Sequence, residues 1–271
     1  MAIITISRGS YSKGREVAEK VAERLSYKVV SRDVLLEASE HYHIPEVKLV
    51  RAIHDAPSVL DRLTHGKQCY IAYIQSALAE RAKDDNLVYH GLAGHLLLKG
   101  VPHVLKVRII ADLDARARAE AEREGINPAE ARTLLARDDA ERRKWTQSLY
   151  GVDPWDAALY DLVIHVDKLT TDDAADFVVQ AAKRDCFRTT PEAQRKMDDL
   201  ALACRIKAAL VREECFEVGV TSEYGNVVIY AKSAAGLASR QLDKVEVIRR
   251  NHPEINNLEV LGGLPFPPAA V

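Results

Sequence analysis

The run AIITIS, from Ala2 to Ser7, has no polar alternation and is rich in β-branched residues. A strand of this kind has no wet face. It must be covered on both sides, as in parallel sheets sandwiched between helices. The chain continues as such a sheet requires. A glycine-containing turn is followed, from Gly14, by Val17, Val21 and Leu25 at helical spacing with alanines between them. Short β-rich runs recur at YKVV (27–30), NLVYHG (86–91), HVLKVRIIA (103–111) and DLVIHV (161–166). Helical patterns separate them: one after the SRD cap at 31–33, one over 46–84 with breaks near Pro57 and Gly66, and one over 112–124. Another runs from NPAE at Asn127 to about Ser148, and a last one lies in TTDDAADFVVQAAKR. Strands alternating with helices predict an α/β fold, a parallel sheet wound with helices on both faces, over residues 1–188.

The pattern changes after Arg188. RTTPE reads as a linker (189–194), followed by a helix from about Pro191 to Glu214 and two alternating strands, CFEVGVTS and NVVIYA, joined at EYGN. Residues 233–250 are helical, NHPEI breaks the chain, and INNLEVL is a last strand. This predicts a small α+β unit of order α-β-β-α-β over 195–262, with no crossover helix of its own and with edge strands able to pair with a second copy. The Pro/Gly-rich tail 263–271 is expected to be loosely ordered.

Composition narrows the function. A formal net charge of -2 gives no global field towards nucleic acid or an anionic membrane. No apolar run approaches the roughly 18–20 residues of a membrane span. MAIITIS has neither the basic start nor the cleavage site of a secretory leader, so it reads as mature sequence. Cys69, Cys186, Cys204 and Cys215 are scattered, which fits reduced thiols and a cytoplasmic setting. His41/His43 and His90/His95 lack the i, i+4 spacing of a metal pair on one helix face, and no metal ligand set is identified.

The turn GSYSKGRE lies between the first strand and its helix. Gly9 and Gly14 keep the glycine spacing of G-x-x-x-x-G-K-[ST], a phosphate-binding loop. Its backbone N–H groups, together with those at a helix start, converge on a place suited to an anion. Arg15 stands where that pattern has lysine and Glu16 where it has the hydroxyl. Lys13 lies close enough to assist. Gly9, Ser10, Tyr11, Ser12, Lys13, Gly14, Arg15 and Glu16 are therefore the candidate phosphate-binding residues. A plain strand-to-helix turn is the alternative.

ITISRGSYSKGREVAEKVAERL followed by VVSRDVL resembles the cytidylate kinase-like family of P-loop proteins, with Ser7, Arg8, Gly14, Arg15 and Glu16 on the family's S-R…G-R-E element. Arg32-Asp33 stands inverted at its D-R element. ARDDAERRKW and YGVDPWDAALYDLVIHVDKL are similar to its lid helix and following strand, matching at Asp139, Arg142, Tyr160 and Asp161. The resemblance implies the nucleoside monophosphate kinase fold, with transfer of a phosphoryl group from ATP, with Mg2+, to a nucleotide such as CMP. It implies that Arg15 and Lys13 from the loop and Arg137 and Arg142 from a lid supply positive charge. It also implies that Arg32, Asp33, His90 and Asp139 face the acceptor. Two departures stand out: His90-Gly91-Leu92 replaces a G-R-G whose arginine would hold the acceptor phosphate, and no Ser/Thr follows Arg15. A nucleotide sensor without turnover is the rival expectation. Residues 195–262 resemble a BON domain, which implies a non-catalytic binding module for a partner or surface.

Overall fold

The computed structural model describes the chain except for Met1, Ser10, Tyr11, Arg32, 45–47, 50–65, Leu92 and 233–238. The first unit contains β1 (Ile3–Arg8), α1 (Gly14–Leu25), β2 (Lys28–Val30), α2 (Asp33–Tyr42), α3 (Gly66–Ala82) and β3 (Leu87–His90). It continues with the single-turn α4 (Gly94–Leu97), β4 (Val104–Ile110), α5 (Leu113–Glu124), α6 (Pro128–Tyr150), β5 (Leu162–His165) and α7 (Thr171–Ala182). The second contains α8 (Pro191–Arg212), β6 (Val218–Glu223), β7 (Asn226–Ala231), α9 (Ser239–Asn251) and β8 (Asn257–Gly262).

The five strands of the first sheet are parallel, in the order β2-β3-β1-β4-β5. The apolar run at the start of the chain is thus the central strand, paired on both edges. Its side chains alternate between two cores. Ile4 and Ile6 pack with Val17, Val21 and Val178 of α1 and α7, whereas Ile3 packs with Ile74 and Leu78 of α3. Local chemistry sets the helix ends. Asn127 accepts from the Ala129 N–H at 2.8 Å just before Pro128, and Thr170 and Asp173 form a reciprocal capping box.

In the second unit β6 and β7 are antiparallel, and Tyr224 and Gly225 take the positive φ values (53° and 73°) of a two-residue hairpin turn. A buried carboxylate fixes that turn: Asp199 of α8 accepts from Ser222 Oγ at 3.0 Å and from the Tyr224 and Gly225 N–H groups at 3.0 and 3.2 Å. Two expectations are corrected here. β8 pairs with β7 in parallel, which requires a crossover, and α9 supplies it. The tail is ordered: Val271 and Val220 exchange backbone hydrogen bonds at 3.0 and 3.2 Å, covering the outer edge of β6.

α8 begins at Pro191, as its helical pattern predicts, so it takes in residues 191–194 at the end of the expected linker. That helix belongs to two cores at once. Met197, Ala201, Cys204, Ala208 and Val211 join Ile3, Ile74 and Leu78, while Leu202, Ile206 and Leu210 pack under β6 and β7. Met197 is fully buried, so Met197→Ala is expected to destabilise by about 2–4 kcal/mol. Urea unfolding followed by far-UV signal and by tryptophan fluorescence should shift together in a single transition, because Trp145 shares that core. Separate transitions would show that α8 does not join the two units.

Candidate active site

The turn between β1 and α1 is folded against itself. The Ser12 hydroxyl is buried and lies 3.1 Å from the Gly9 carbonyl and 3.2 Å from that of Ile109 in β4, either of which it can donate to. Lys13 takes φ 59°, unusual for a residue with a Cβ, and stands at the N-cap of α1 without capping it. The N–H groups of the first helical turn therefore receive no bond from the N-cap side chain. A Cβ on Gly14 would lie 2.7 Å from Cβ of Arg8, so only glycine fits there.

Beside the turn opens a cleft of about 290 Å³, bordered by Gly9 and Ser12, by Arg108 of β4, by Arg116 of α5, by Asp139 of α6 and by Trp155. Its central feature is an ion pair. Arg116 Nη2 donates to Asp139 Oδ2 at 2.8 Å, with side chains only 10% and 15% exposed. A Cβ on Gly9 would fall 3.2 Å from Arg116 Nη1 and 3.7 Å from Asp139 Oδ1. The glycine is what lets this guanidinium approach the loop. On the far wall, Arg108 donates to the Pro154 carbonyl at 2.6 Å and stacks 5.5 Å from the ring centre of Tyr160. Arg143 grips Asp153 through three contacts of 2.5–3.1 Å and lies 4.5 Å over the Trp155 ring. This pairing holds the Asp153 carboxyl below the ordinary carboxylate range.

Of the predicted residues, Gly9, Ser12 and Asp139 come together at this cleft. Lys13 is exposed on the turn above it, with no ion pair among the described residues. Arg15 is exposed and bonded to Glu19 at 2.8 Å, which keeps its charge along the helix. Glu16 accepts from Thr171 Oγ1 at 2.6 Å, joining α1 to the start of α7. Arg137 is exposed and Arg142 half-buried on α6, neither bordering the cleft. His90 is buried at the end of β3, opposite Ile6, also away from the cleft. Ser10, Tyr11 and Arg32 lie outside the described residues, as does the side chain of Asp33. Arg108, Arg116 and Trp155 were not singled out from the sequence. For Arg116 a signal existed: it sits with Ala117, Glu120 and Ala121 on the buried stripe of α5. An arginine on such a stripe needs a partner.

The donor set fits the phosphates of a nucleotide better than a metal held by protein alone. Among the described residues no group of three or more His, Cys, Asp or Glu could hold a metal ion. The Ser12 hydroxyl and Glu16 carboxylate are already committed. A magnesium ion here would rely on the nucleotide's own oxygens, as this ion commonly does.

A parallel sheet with a glycine turn at the end of its central strand, an uncapped helix start and a buried arginine facing the turn define a phosphate-binding α/β protein. The chain belongs to the cytidylate kinase-like family, whose profile matches residues 3–168. It is 27% identical over 169 residues to the cytidylate kinase of Pyrococcus horikoshii, covering 61% of this chain and 80% of that one. It is 26% identical over 170 residues to the cytidylate kinase of Pyrococcus furiosus, covering 63% and 82%. An uncharacterized protein from Eubacterium ventriosum shares the fold, with a TM-score of 0.52 at 20% identity over 68% of this chain and all of that one.

Behind the cleft, His95 of α4 is buried, 4.6 Å from the Tyr160 ring, and neither ring nitrogen has a hydrogen-bond partner among the described residues. Burial, then the charges of Arg108 and Lys106, push it from 6.5 down to about 4. The neutral ring's contribution to stability is complete above pH 6.5 and is lost as pH falls towards about 4, where the unfolded chain takes up a proton that the native chain refuses. Unfolding free energies from urea titrations should fall over that window by about 1.4 kcal/mol per pH unit at most. His95→Phe should remove this component. An unchanged slope in the variant would contradict the assignment.

Proposed function

We propose that this protein is an ATP-dependent phosphotransferase whose acceptor is a nucleoside monophosphate of the CMP type. The observation that carries the reading is the mostly buried Arg116–Asp139 pair facing Gly9 at the mouth of the β1–α1 turn. Phosphoryl transfer asks little of a protein beyond in-line positioning and positive charge around the moving group. The amides of the turn and of the first turn of α1, with Lys13, would hold the phosphates of ATP. Arg116 would meet the transferring group from α5. Asp139 fixes the guanidinium before substrate arrives, so it is a positioning residue. Arg137, exposed on α6, and the half-buried Arg142 would close over the site as lid residues. ATP and its magnesium ion supply the phosphoryl donor.

The acceptor side is the less conventional half. His90-Gly91 stands in place of an arginine, and His90 is buried in the sheet end. Arg108, held at the cleft by Pro154 and Tyr160, is the cation available to an acceptor phosphate on that wall. For the C-terminal unit we keep the BON-like reading, supported by its α-β-β-α-β order and its hairpin; its role would be binding rather than chemistry.

The test is ADP release from ATP and Mg2+ with CMP, UMP, AMP or dCMP added in turn. ADP formation that depends on one monophosphate is expected. Arg116→Met should lower kcat by about 10²-fold or more and also lower the thermal midpoint, because Asp139 loses its partner in a mostly buried place. Full activity in Arg116→Met would overturn the assignment of Arg116. Tight ATP binding without any turnover would favour a nucleotide sensor.

A further inference from the structure

A second and larger cavity, about 900 Å³, shares no lining residue with the cleft just described and lies where the two units meet. Its walls come from α3, α4, the end of α6, α8, the start of β6 and the C-terminal tail. They are largely apolar: Ile71, Leu96, Leu149, Leu200, Phe216 and Phe266 face it. The volume is at the upper end of the range for small-molecule sites, about 300–1,000 Å³.

One cation in this apolar setting lacks a counter-charge. Lys207 of α8 lines the cavity, and its ammonium donates to the Val218 carbonyl. No carboxylate pairs with it among the described residues. The other charged groups on the lining are engaged elsewhere or stand at its edge. Asp199 is taken up by the hairpin turn, Glu217 pairs with Lys232 at 2.9 Å, and Lys196 pairs with Glu223 at 3.2 Å. Lys99 is exposed. Cys69 of α3, near Lys207, is pushed up to about 11 by burial and so remains a neutral thiol at physiological pH. Burial draws the Lys207 ammonium itself down to about 8. A desolvated, unpaired ammonium on an apolar cavity is unfavourable unless an anion joins it. The Tyr150 hydroxyl, also on the lining, is buried without a hydrogen-bond partner among the described residues.

We propose that this cavity is a binding site for a small organic carboxylate with an apolar body, its head group on Lys207 and its body against the walls formed by α3, α8 and Phe266. The carboxylate supplies the missing counter-charge, and the apolar body replaces water along Ile71, Leu200 and Phe216. Neither part suffices alone: an inorganic anion would leave the walls wet, and a neutral apolar ligand would leave the ammonium unpaired. The site is independent of the nucleotide cleft and stands or falls apart from the proposed enzyme activity.

Octanoate and 1-octanol, which share a chain and differ in charge, test this by calorimetry on the full protein. One octanoate per chain is expected, about tenfold or more tighter than 1-octanol. Lys207→Met should weaken octanoate by about the same factor and leave 1-octanol unchanged, and Leu200→Trp, which adds bulk to the apolar wall, should weaken both. Equal binding of the two probes, no saturation up to about 10 mM octanoate, or undiminished binding in Leu200→Trp would each overturn the proposal. Should Lys207→Met fail to fold, the octanoate-to-octanol ratio in the natural chain and the Leu200→Trp result decide it.

Discussion

The whole first unit depends on β1 being hydrogen-bonded on both edges and covered on both faces. Ile3 to Ile6 pair with β3 on one side and β4 on the other. Their side chains anchor the two cores alternately. A strand so constrained delivers its C-terminal end to one fixed place. There the chain must reverse into α1 within a few residues, passing close to Arg8. Gly14 permits that approach, and the Ser12 hydroxyl closes the turn onto Gly9 and β4. A rigid sheet thus holds Gly9 and Ser12 beside the Arg116–Asp139 pair. The site's precision comes from the sheet rather than from the loop.

The same logic of shared surfaces joins the two halves of the chain. α8 has no wholly free face: one side completes the core over α3, and the other supports β6 and β7. The C-terminal unit therefore closes over the first unit instead of hanging from a tether. The larger cavity lies along this shared helix, with the C-terminal tail on another wall. Tyr150 lines that space, and the Tyr89 hydroxyl neighbours it and packs against Gly91 at the end of β3.

What was legible in the sequence was local. The AIITIS strand, the α1 periodicity, the helix start at Asn127-Pro128 and the Tyr224-Gly225 turn are each written within a few residues, and each forms as read. The alternation of strands and helices was enough to imply the parallel sheet. What escaped depends on distant partners. An alternating strand looks the same whether it pairs parallel or antiparallel, so the β7-α9-β8 crossover was not visible. The tail reads as disordered by its prolines, but Val271 finds the edge of β6 at Val220. In the site, Gly9, Ser12 and Asp139 were identified, yet Arg116 was lost among the arginines of a charged helix, because its partner lies 23 residues on. Arg15 stood out by resemblance, whereas the i, i+4 spacing to Glu19 already hinted at the bond it makes.

The central claim is that the β1–α1 turn holds the phosphates of a nucleotide beside Arg116. The most direct measurement is the backbone amide shift of Gly9, Ser12, Lys13 and Gly14 in a nuclear magnetic resonance titration with ATP. The account predicts saturating shifts at these amides together with the Arg116 side-chain Nε–H. Unmoved signals there at saturating ATP, with shifts clustered elsewhere, would contradict it.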